Sequence, residues 1–295
     1  MSEIEKDGVT GTATTGHEWD GIKELNTPLP RWWILTFYAT IVWALIYTVL
    51  YPAWPMLRSA TPGLLGYSSR ADVAKDIADA KADQSQWLVK IRASSLEDIV
   101  KDQNLLEFAR AGGVAAFKVN CVQCHGAGAA GAVGYPNLND NDWLWGGTLE
   151  QIRQTIANGA RFVANADTRQ SLMPDFGADG ILQPGQIADA ANFVVTLSGG
   201  DADQQAAARG AQVFAGNCAA CHGEKGEGNK ELGAPNLADQ ISLYGGDLKS
   251  VTAQVRKPRH GIMPAWSARL DETTIKQLAI YVFSLGGGEA PAATQ

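Results

Sequence analysis

The string Cys121-Val-Gln-Cys124-His125 occurs a second time in this chain, as Cys218-Ala-Ala-Cys221-His222. These strings contain all four cysteines, so none is left to form a structural disulfide. Two thiols separated by two residues lie about one helical turn apart, which matches the spacing of the two vinyl groups of haem. The histidine that follows is then placed to bind the haem iron. The pattern predicts covalent attachment of haem c at both strings.

Two other kinds of site use paired cysteines, and the sequence disfavours both. Zinc sites built from two such pairs normally have them within about twenty residues of each other. Here the pairs lie much farther apart, and neither has a nearby further ligand except its own histidine. A thioredoxin-like redox pair would need a βαβ setting, which the sequence does not show. Two strings in register therefore favour two covalently bound haems c.

From about residue 105 the chain consists of two related halves, 105–200 and 201–288. Each half presents Gly, Phe and Cys spaced four apart, then Pro-Asn-Leu, a Gly-Gly pair, Met-Pro and a closing amphipathic helix. The matching residues are Gly113, Phe117, Cys121, Pro136, Met173 and Phe193 in the first half, and Gly210, Phe214, Cys218, Pro235, Met263 and Tyr281 in the second. The repeat predicts a tandem duplication of one small helical domain.

His125 and His222 are the predicted proximal ligands of the two haem irons. Each ring needs an acceptor for the hydrogen bond of its other nitrogen, and the carbonyls of Pro136 and Pro235 are the natural acceptors. Further side chains are expected around the haems: Trp143, Trp145 and Trp266 as walls of the crevices, and Arg153 and Arg256 as partners of the propionates or as members of solvated helix faces.

Met173 and Met263 are the predicted distal ligands. They share a position in the repeat, and each precedes proline. A thioether opposite histidine raises the reduction potential and closes the iron to small ligands, which suits electron transfer. The alternative is a methionine that fills a gap in the core. His260 is the one rival ligand in the second half, and we interpret it as a surface side chain or a contact of a haem propionate.

Residues Trp32–Tyr51 carry no charge and are rich in aromatic and branched side chains. As a helix this run is about 30 Å long, the thickness of the hydrocarbon core of a bilayer. Tryptophan and tyrosine at both ends match the aromatic belts of membrane proteins. A core helix rarely stays uncharged on every side, and a cleaved signal peptide would begin near residue 1. The sequence therefore predicts one uncleaved transmembrane helix over residues 32–54.

The haem motifs also predict the orientation of this helix, because haem is joined to such motifs outside the cytoplasm. We expect a cytoplasmic segment over 1–31 and haem domains on the periplasmic side of the bacterial inner membrane. Residues 55–104 are polar with few apolar positions, which predicts a periplasmic linker with one or two amphipathic helices. Residues 289–295 are expected to form a disordered tail.

The composition, 45% hydrophobic and 19% charged, is that of a globular protein rather than a disordered chain. The net charge of −7 is spread along the sequence. Binding to nucleic acid needs clustered lysine and arginine, so the sequence argues against it as a partner. The acidic balance permits attraction to a basic protein.

One amino-terminal span followed by two haem domains resembles the dihaem subunit of cbb3-type cytochrome c oxidases. The stretch Asp20-Gly-Ile-Lys-Glu-Leu-Asn-Thr-Pro-Leu-Pro-Arg-Trp-Trp33 is similar to the one that precedes the span in that family. The resemblance covers essentially the whole chain. It implies a mainly α fold, with one N-terminal transmembrane helix followed by two tandem class I cytochrome c domains.

The resemblance also implies a membrane-anchored electron relay. In that family electrons come from the cytochrome bc1 complex, often through soluble cytochrome c, and pass towards a monohaem cytochrome c subunit and the haem–copper catalytic subunit that reduces oxygen. By resemblance, the attachment sites are Cys121, Cys124, Cys218 and Cys221, and the axial ligands are His125, His222, Met173 and Met263. The two methionines can be exchanged between the domains in this family, and sequence order leaves that open.

Two other functions stay open at this point. One is an electron-transfer subunit of another membrane complex, such as a quinone-linked dehydrogenase, although many of those carry three haem motifs or a differently placed anchor. The other is a dihaem peroxidase, which needs one haem with an open distal site, and a Met-Pro in both halves argues against it. Nothing in the sequence supplies a copper site, an acid–base pair or a proton channel, so the isolated chain is not expected to be an enzyme.

Overall fold

The computed structural model describes residues 5–290, and the first four and last five residues lie outside the description. The fold is mainly α, as expected, and it also contains one two-stranded sheet. The chain divides into two compact units, Met1–Asp83 and Gln84–Gln295. The cysteine motifs and the methionines that follow them all belong to the second unit.

An antiparallel hairpin occupies the expected cytoplasmic segment, and the sequence interpretation did not include it. Its strands are β1, Thr14–Trp19, and β2, Ile22–Leu25. The two-residue turn consists of Asp20 and Gly21, whose φ angles are 50° and 84°. A hairpin turn of this length commonly needs positive φ at both positions, and the sequence Asp-Gly provides it at low cost.

Helix α1, Arg31–Leu50, is the one candidate membrane span among the described residues. Its mean hydropathy is 1.8 and none of its residues is buried inside the protein. The predicted span extended to residue 54, but the helix ends earlier because Tyr51 precedes Pro52 and takes an extended conformation. The backbone N–H groups of Leu64 and Leu65 then donate to carbonyls of the last turn, which would otherwise lack partners.

The predicted linker contains two helices, α2, Ser69–Ala93, and α3, Leu96–Lys101. Helix α2 is exposed along nearly its whole length and buries only Ile91. Ile91 belongs to an apolar cluster with α3 and with Ile280 near the carboxyl end of the chain. The ammonium group of Lys276 donates to carbonyls at the end of α2. The end of the linker is thus part of the haem-motif unit, whereas a separate linker was expected.

Eight helices follow α3 within the described residues, in the same order in both halves of the repeat. They are α4 Gln103–Asn120, α5 Val122–His125, α6 Leu149–Asn158, α7 Pro184–Leu197, α8 Gln204–Asn217, α9 Ala219–His222, α10 Leu248–Arg256 and α11 Glu272–Phe283. Asp or Thr side chains cap the amino ends of several of them. Thr148, for example, forms a capping box with Gln151 at the start of α6.

Helix α4, which leads into the first cysteine motif, crosses α11 rather than α7. A Cβ atom at Gly113 would collide with the carbonyl oxygen of Gln277 and with the side chain of Tyr281 in α11. The rings of Phe117 and Tyr281 meet edge-on, with 5.2 Å between their centroids. The helix that closes the second half of the sequence therefore packs on the first motif.

Helix α8, which leads into the second motif, makes the reciprocal crossing with α7. A Cβ atom at Gly210 would collide with the carbonyl oxygen of Asp189 and with the Cβ of Phe193. The rings of Phe193 and Phe214 lie 5.1 Å apart. The closing helix of the first half thus serves the second motif.

These two crossings show how the two halves of the repeat pack together. The halves 105–200 and 201–288 are repeats in the sequence, but each packed core takes its closing helix from the other half. The physical reason lies in the repeat itself, because both closing helices offer the same apolar positions to the same Gly-Phe surface. Exchange of equivalent elements costs little free energy, as in domain swapping.

The predicted disorder of the tail does not hold at Glu289. The backbone N–H of Glu289 donates to the carbonyl of Gly147 at 2.9 Å, and its carboxylate accepts from the N–H of Gly147 at 2.9 Å. The same carboxylate forms an ion pair with Lys230. The remaining expected tail, from residue 291 onward, lies outside the described residues.

Candidate haem sites

The first motif forms where α4 ends and the short α5 begins. The N–H of Cys121 donates to the carbonyl of Phe117 at 2.8 Å, and the N–H groups of Cys124 and His125 return to the carbonyl of Cys121 at 3.1 and 2.9 Å. These bonds bring both thiols and the imidazole to one end of α4. No thiol of the described residues forms a disulfide, so all are available to a haem.

The imidazole of His125 is held by the Pro136 carbonyl, which lies 3.1 Å from its Nδ1. A carbonyl can only accept, so Nδ1 donates its proton and Nε2 keeps a free lone pair. Burial lowers the pKa of His125, and the Pro136 carbonyl opposes this in part. A neutral imidazole with a fixed ring and a free Nε2 is the form that binds iron.

The second motif repeats this geometry. The N–H of Cys218 donates to the carbonyl of Phe214 at 2.8 Å, and Nδ1 of His222 lies 3.0 Å from the Pro235 carbonyl. Burial lowers the pKa of His222 as it does in the first motif. Burial, with a smaller contribution from the neighbouring thiol, raises the pKa of Cys218 to about 11, and the pKa of Cys121 is raised to about 11 in the same way. The two predicted proximal sites are thus equivalent in structure.

Met263 lies in the core of the first motif. Its backbone pairs with Ala160, which follows α6, through two N–H···O=C bonds of 3.0 Å. Its side chain packs on the apolar cluster that contains Phe117 and Ile152. Cys121 packs on the same cluster. The methionine of the second half has therefore been brought to the histidine motif of the first.

Met173 lies in the core of the second motif. Its side chain packs on a cluster formed by Phe176, Ile187 and Val255, together with Val213 of α8. The N–H of Gly177 donates to the carbonyl of Arg256 at 3.1 Å, which joins this segment to the end of α10. Each methionine side chain thus packs in the same core as the closing helix of its own half and the helix that leads into the cysteine motif of the other half, an arrangement that sequence order left open.

The loops of the two motifs contact each other through two aromatic side chains. Trp145 of the first loop packs against the Cα of Gly233 in the second loop, where a Cβ would collide with the indole. Tyr244 of the second loop lies next to Gly134 of the first loop, although less closely, since a Cβ there would meet the ring at an ordinary contact distance of 3.5 Å. The N–H of Gly134 also donates to the carbonyl of Leu243 at 2.8 Å. The loops of the two cores thus contact each other through one aromatic ring from each side, and we call this contact the aromatic seam.

Two arginines complete the aromatic seam, and the sequence interpretation missed both. Arg169 lies over the ring of Trp145 at 5.8 Å, and Arg259 over the ring of Tyr244 at 4.6 Å. The sequence carried a signal for them, because each arginine stands four residues before one of the predicted methionine ligands. Arg169 is half-buried and Arg259 is exposed, and each contact holds a cation against an aromatic face.

The other residues singled out in the sequence have local roles. Nε1 of Trp143 donates to the carbonyl of Gly287 at 2.5 Å, and Trp266 packs on the cluster of the first motif. Arg153 forms ion pairs with Glu150 and Glu272 at 2.7 and 3.1 Å, which favours the solvated helix face over a propionate contact. Arg256 is exposed at the end of α10, and His260 is half-buried in the segment before Met263.

The residues present fit a haem c at each motif. Each site offers two unpaired thiols, a fixed neutral imidazole and a nearby thioether sulfur. The indole of Trp145 is buried, and its Nε1 has no hydrogen-bond partner in the described part of the chain. A buried donor without a partner is costly, and a haem propionate would supply the missing acceptor.

Three family models match successive parts of the chain. Residues 11–58 match the N-terminal domain of FixP of cbb3 cytochrome oxidases, residues 111–198 match cytochrome c, and residues 205–282 match subunit III of cbb3-type cytochrome c oxidases. A FixP subunit from Bradyrhizobium sp. (strain ORS 278) is 56% identical over 97% of this chain and 98% of its own length. The chain belongs to the FixP/CcoP family of cbb3-type oxidase subunits.

Other members of the family align over similar lengths. The FixP subunit of Sinorhizobium medicae is 54% identical over 96% of this chain and 97% of its own, and the CcoP subunit of Cereibacter sphaeroides is 54% identical over 94% and 95%. The family matches confirm the expected order, a front segment with one apolar helix followed by two cytochrome c domains in tandem. A FixP/CcoP chain is thus a c-type cytochrome, which implies haem c as its cofactor.

Proposed function

We propose that this chain carries two covalently bound haems c and relays electrons within a cbb3-type cytochrome c oxidase. The observation that carries this function is the pair of equivalent sites, each with two free thiols, a histidine fixed by a proline carbonyl and a methionine in the same core. The printed names of the relatives are subunits of cbb3-type oxidases. They do not favour a quinone-linked dehydrogenase or a dihaem peroxidase.

The residues of each site have distinct roles in this relay. The cysteine pairs Cys121 and Cys124, and Cys218 and Cys221, would each hold a haem by thioether bonds. The proline carbonyl fixes the imidazole plane and keeps Nε2 directed to the metal. The haem would supply a one-electron couple, and the methionine thioether, as a ligand, would raise its potential and exclude small ligands. A histidine and a methionine bound to each iron would leave it without an open site for oxygen or peroxide.

We also propose that the distal ligands are exchanged. Met263 serves the haem of His125, and Met173 serves the haem of His222. The support is the packing of Met263 with Phe117 and Cys121, and of Met173 with Val213 of α8. The crossings of α4 with α11 and of α8 with α7 carry each methionine to the other half.

The proposed setting is a single-pass protein of the bacterial inner membrane. Helix α1 is apolar and long enough to span a bilayer, and the relatives are subunits of cbb3-type cytochrome c oxidases. The amino-terminal hairpin would lie in the cytoplasm and the haem domains in the periplasm. The proposed partners are the haem–copper catalytic subunit and the monohaem cytochrome c subunit, with cytochrome c or the bc1 complex as electron donor.

Haem counting on the purified complex tests this function. The native chain should retain two haems after denaturation, and Cys218→Ala with Cys221→Ala should remove one of them. The anchored chain should purify in mild detergent with an oxidase core, and cells without the chain should lose oxidase activity with cytochrome c as donor. Fewer than two haems in the native chain, or oxidase activity that survives without it, would contradict the proposal.

A further inference from the structure

Arg161 occupies a strained position between the two segments that contain the methionines. Its φ angle is +55°, a left-handed conformation that is unfavourable for a residue with a side chain. The backbone is held there because the N–H of Arg161 donates to the carbonyl of Arg169 at 2.7 Å, while the preceding Ala160 pairs with Met263. Strain of this kind persists only where the surrounding contacts fix the residue, and it concentrates at functional positions.

The guanidinium of Arg161 contacts both methionine segments. Its Nε donates to the carbonyl of Gly261 at 2.7 Å, and its Nη1 donates to the carbonyl of Ser171 at 3.4 Å. Gly261 stands two residues before Met263, and Ser171 stands two residues before Met173. One side chain therefore joins the two loops that lead to the two proposed ligands.

Within the described part of the chain, the guanidinium of Arg161 forms no ion pair with a carboxylate. Burial lowers the pKa of this guanidinium, and Tyr244 opposes the shift. A partly buried cation needs acceptors, and carbonyl oxygens provide charge-assisted hydrogen bonds that are stronger than neutral ones. Arg209, by contrast, forms the ion pair with a carboxylate that is usual for an arginine near the surface, and its partner is Asp189.

We propose that Arg161 is the positioning residue that holds both methionine ligands, because its single guanidinium donates to the two loops that deliver them. This inference rests on the proposed ligation by Met173 and Met263. It makes the two distal bonds interdependent, since loss of one side chain loosens both loops. The exchange of methionines between the halves brings the two loops close enough for one arginine to reach them.

The test uses the full chain with both haems, in two backgrounds that each keep one methionine–iron charge-transfer band. Met263→His leaves the band of the Met173 site, and Met173→His leaves the band of the Met263 site. Addition of Arg161→Gln should lower the pH at which the remaining band disappears by about one unit in both backgrounds. Removal of a hydrogen bond to a charged group should weaken the binding of the methionine to the iron about tenfold. If one proton is released when the ligand is replaced, this tenfold change shifts the pH of the transition by about one unit.

Two further variants make the result specific. Arg161→Lys keeps the charge but cannot donate in two fixed directions, so it should cause a smaller shift in both backgrounds. This variant carries the test if Arg161→Gln does not accumulate with haem. Arg259→Gln is the matched control, because Arg259 contacts Tyr244 and belongs only to the segment of Met263. It should leave the band of the Met173 site unchanged.

The outcomes separate this inference from the ligand assignment. If each Met→His substitution leaves both bands intact, the ligand assignment is wrong and the role of Arg161 fails with it. If each removes one band, but Arg161→Gln shifts only one remaining band or neither, the ligands stand and Arg161 is not the shared positioning residue. A shift of both bands by Arg259→Gln would overturn the proposal as well.

Discussion

Gly210 and Gly216 lie in the same helix, α8, but the structure gives them different surroundings. A Cβ atom at Gly210 would collide with the backbone of Asp189, so this glycine permits the close crossing with α7. Gly216 has nothing within 4 Å of the same position, and its φ is not positive. The first glycine is required by packing, whereas the second only lowers helix propensity.

These two positions provide a matched pair of substitutions. Gly210→Ala should lower the free energy of unfolding by roughly 1–3 kcal/mol, because α7 must move away to accept the methyl group. Gly216→Ala should raise it by up to about 1 kcal/mol, the difference in helix propensity. Denaturant titration of both variants measures the two effects. Equal effects of the same sign would show that α8 does not cross α7 closely at Gly210.

Asp142 is a half-buried carboxyl group in the loop that follows the first motif. Burial, with further contributions from Asp239 and Asp140, raises its pKa to about 6, and Lys230 opposes the shift. The folded chain therefore binds this proton more tightly than the unfolded chain does. The stabilisation is complete below the unfolded pKa near 3.8 and is lost as the pH rises through about 6.

A neutral side chain at position 142 should remove this pH dependence. After allowance for solvent screening, we expect the free energy of unfolding to fall by about 1 kcal/mol between pH 4 and pH 7 because of Asp142. Asp142→Asn should stabilise the chain at pH 7 and flatten the profile over this interval. Melting curves across the interval provide the measurement, and an unchanged profile in the variant would refute the assignment.

Several elements could be predicted from local sequence signals. The uncharged run identified α1, and the two motifs identified α5 and α9 together with the helices that precede them. The end of α1 was placed too late because Pro52 acts on the residue before it, so the helix stops at Leu50 rather than at the last aromatic residue. The hairpin was missed although Asp20 and Gly21 are a strong turn signal between short strands.

The exchange of α7 and α11 could not be predicted from the sequence. Both helices carry the same apolar pattern and end in Gly-Gly, so either can close either core. The choice depends on long-range geometry, namely the aromatic seam and the path from each cysteine motif to its methionine. The same equivalence explains why the sequence indicates candidate histidine and methionine ligands in both halves but leaves open which methionine belongs with which histidine.

A fragment that begins at residue 201 tests the exchange of elements. It contains His222, Met263 and α11 but lacks Met173 and α7. We expect the haem of this fragment to lack the methionine–iron band of the native site. If the band does form, α11 must have moved to a non-native position, and the fragment should then be less stable than the full chain. A fragment with the native band and native stability would show that each half closes on itself.

The whole molecule combines a front segment with one apolar helix and a compact unit with two haem motifs. Family matches cover both parts, and relatives align over almost their full length, so this organisation is shared by the family. Because each core is built from both halves, we expect removal of either half to leave both proposed haem sites incomplete. The two haems should therefore behave as one structural unit in the relay.

The most direct measurement follows the distal ligand of a single haem. The variant Cys218→Ala with Cys221→Ala keeps only the haem of His125, and its methionine–iron charge-transfer band should be present. Addition of Met263→His should abolish this band and lower the potential of the haem, because a second imidazole replaces the thioether. Addition of Met173→His should leave both unchanged. Loss of the band with Met173→His and its survival with Met263→His would contradict the exchanged ligation.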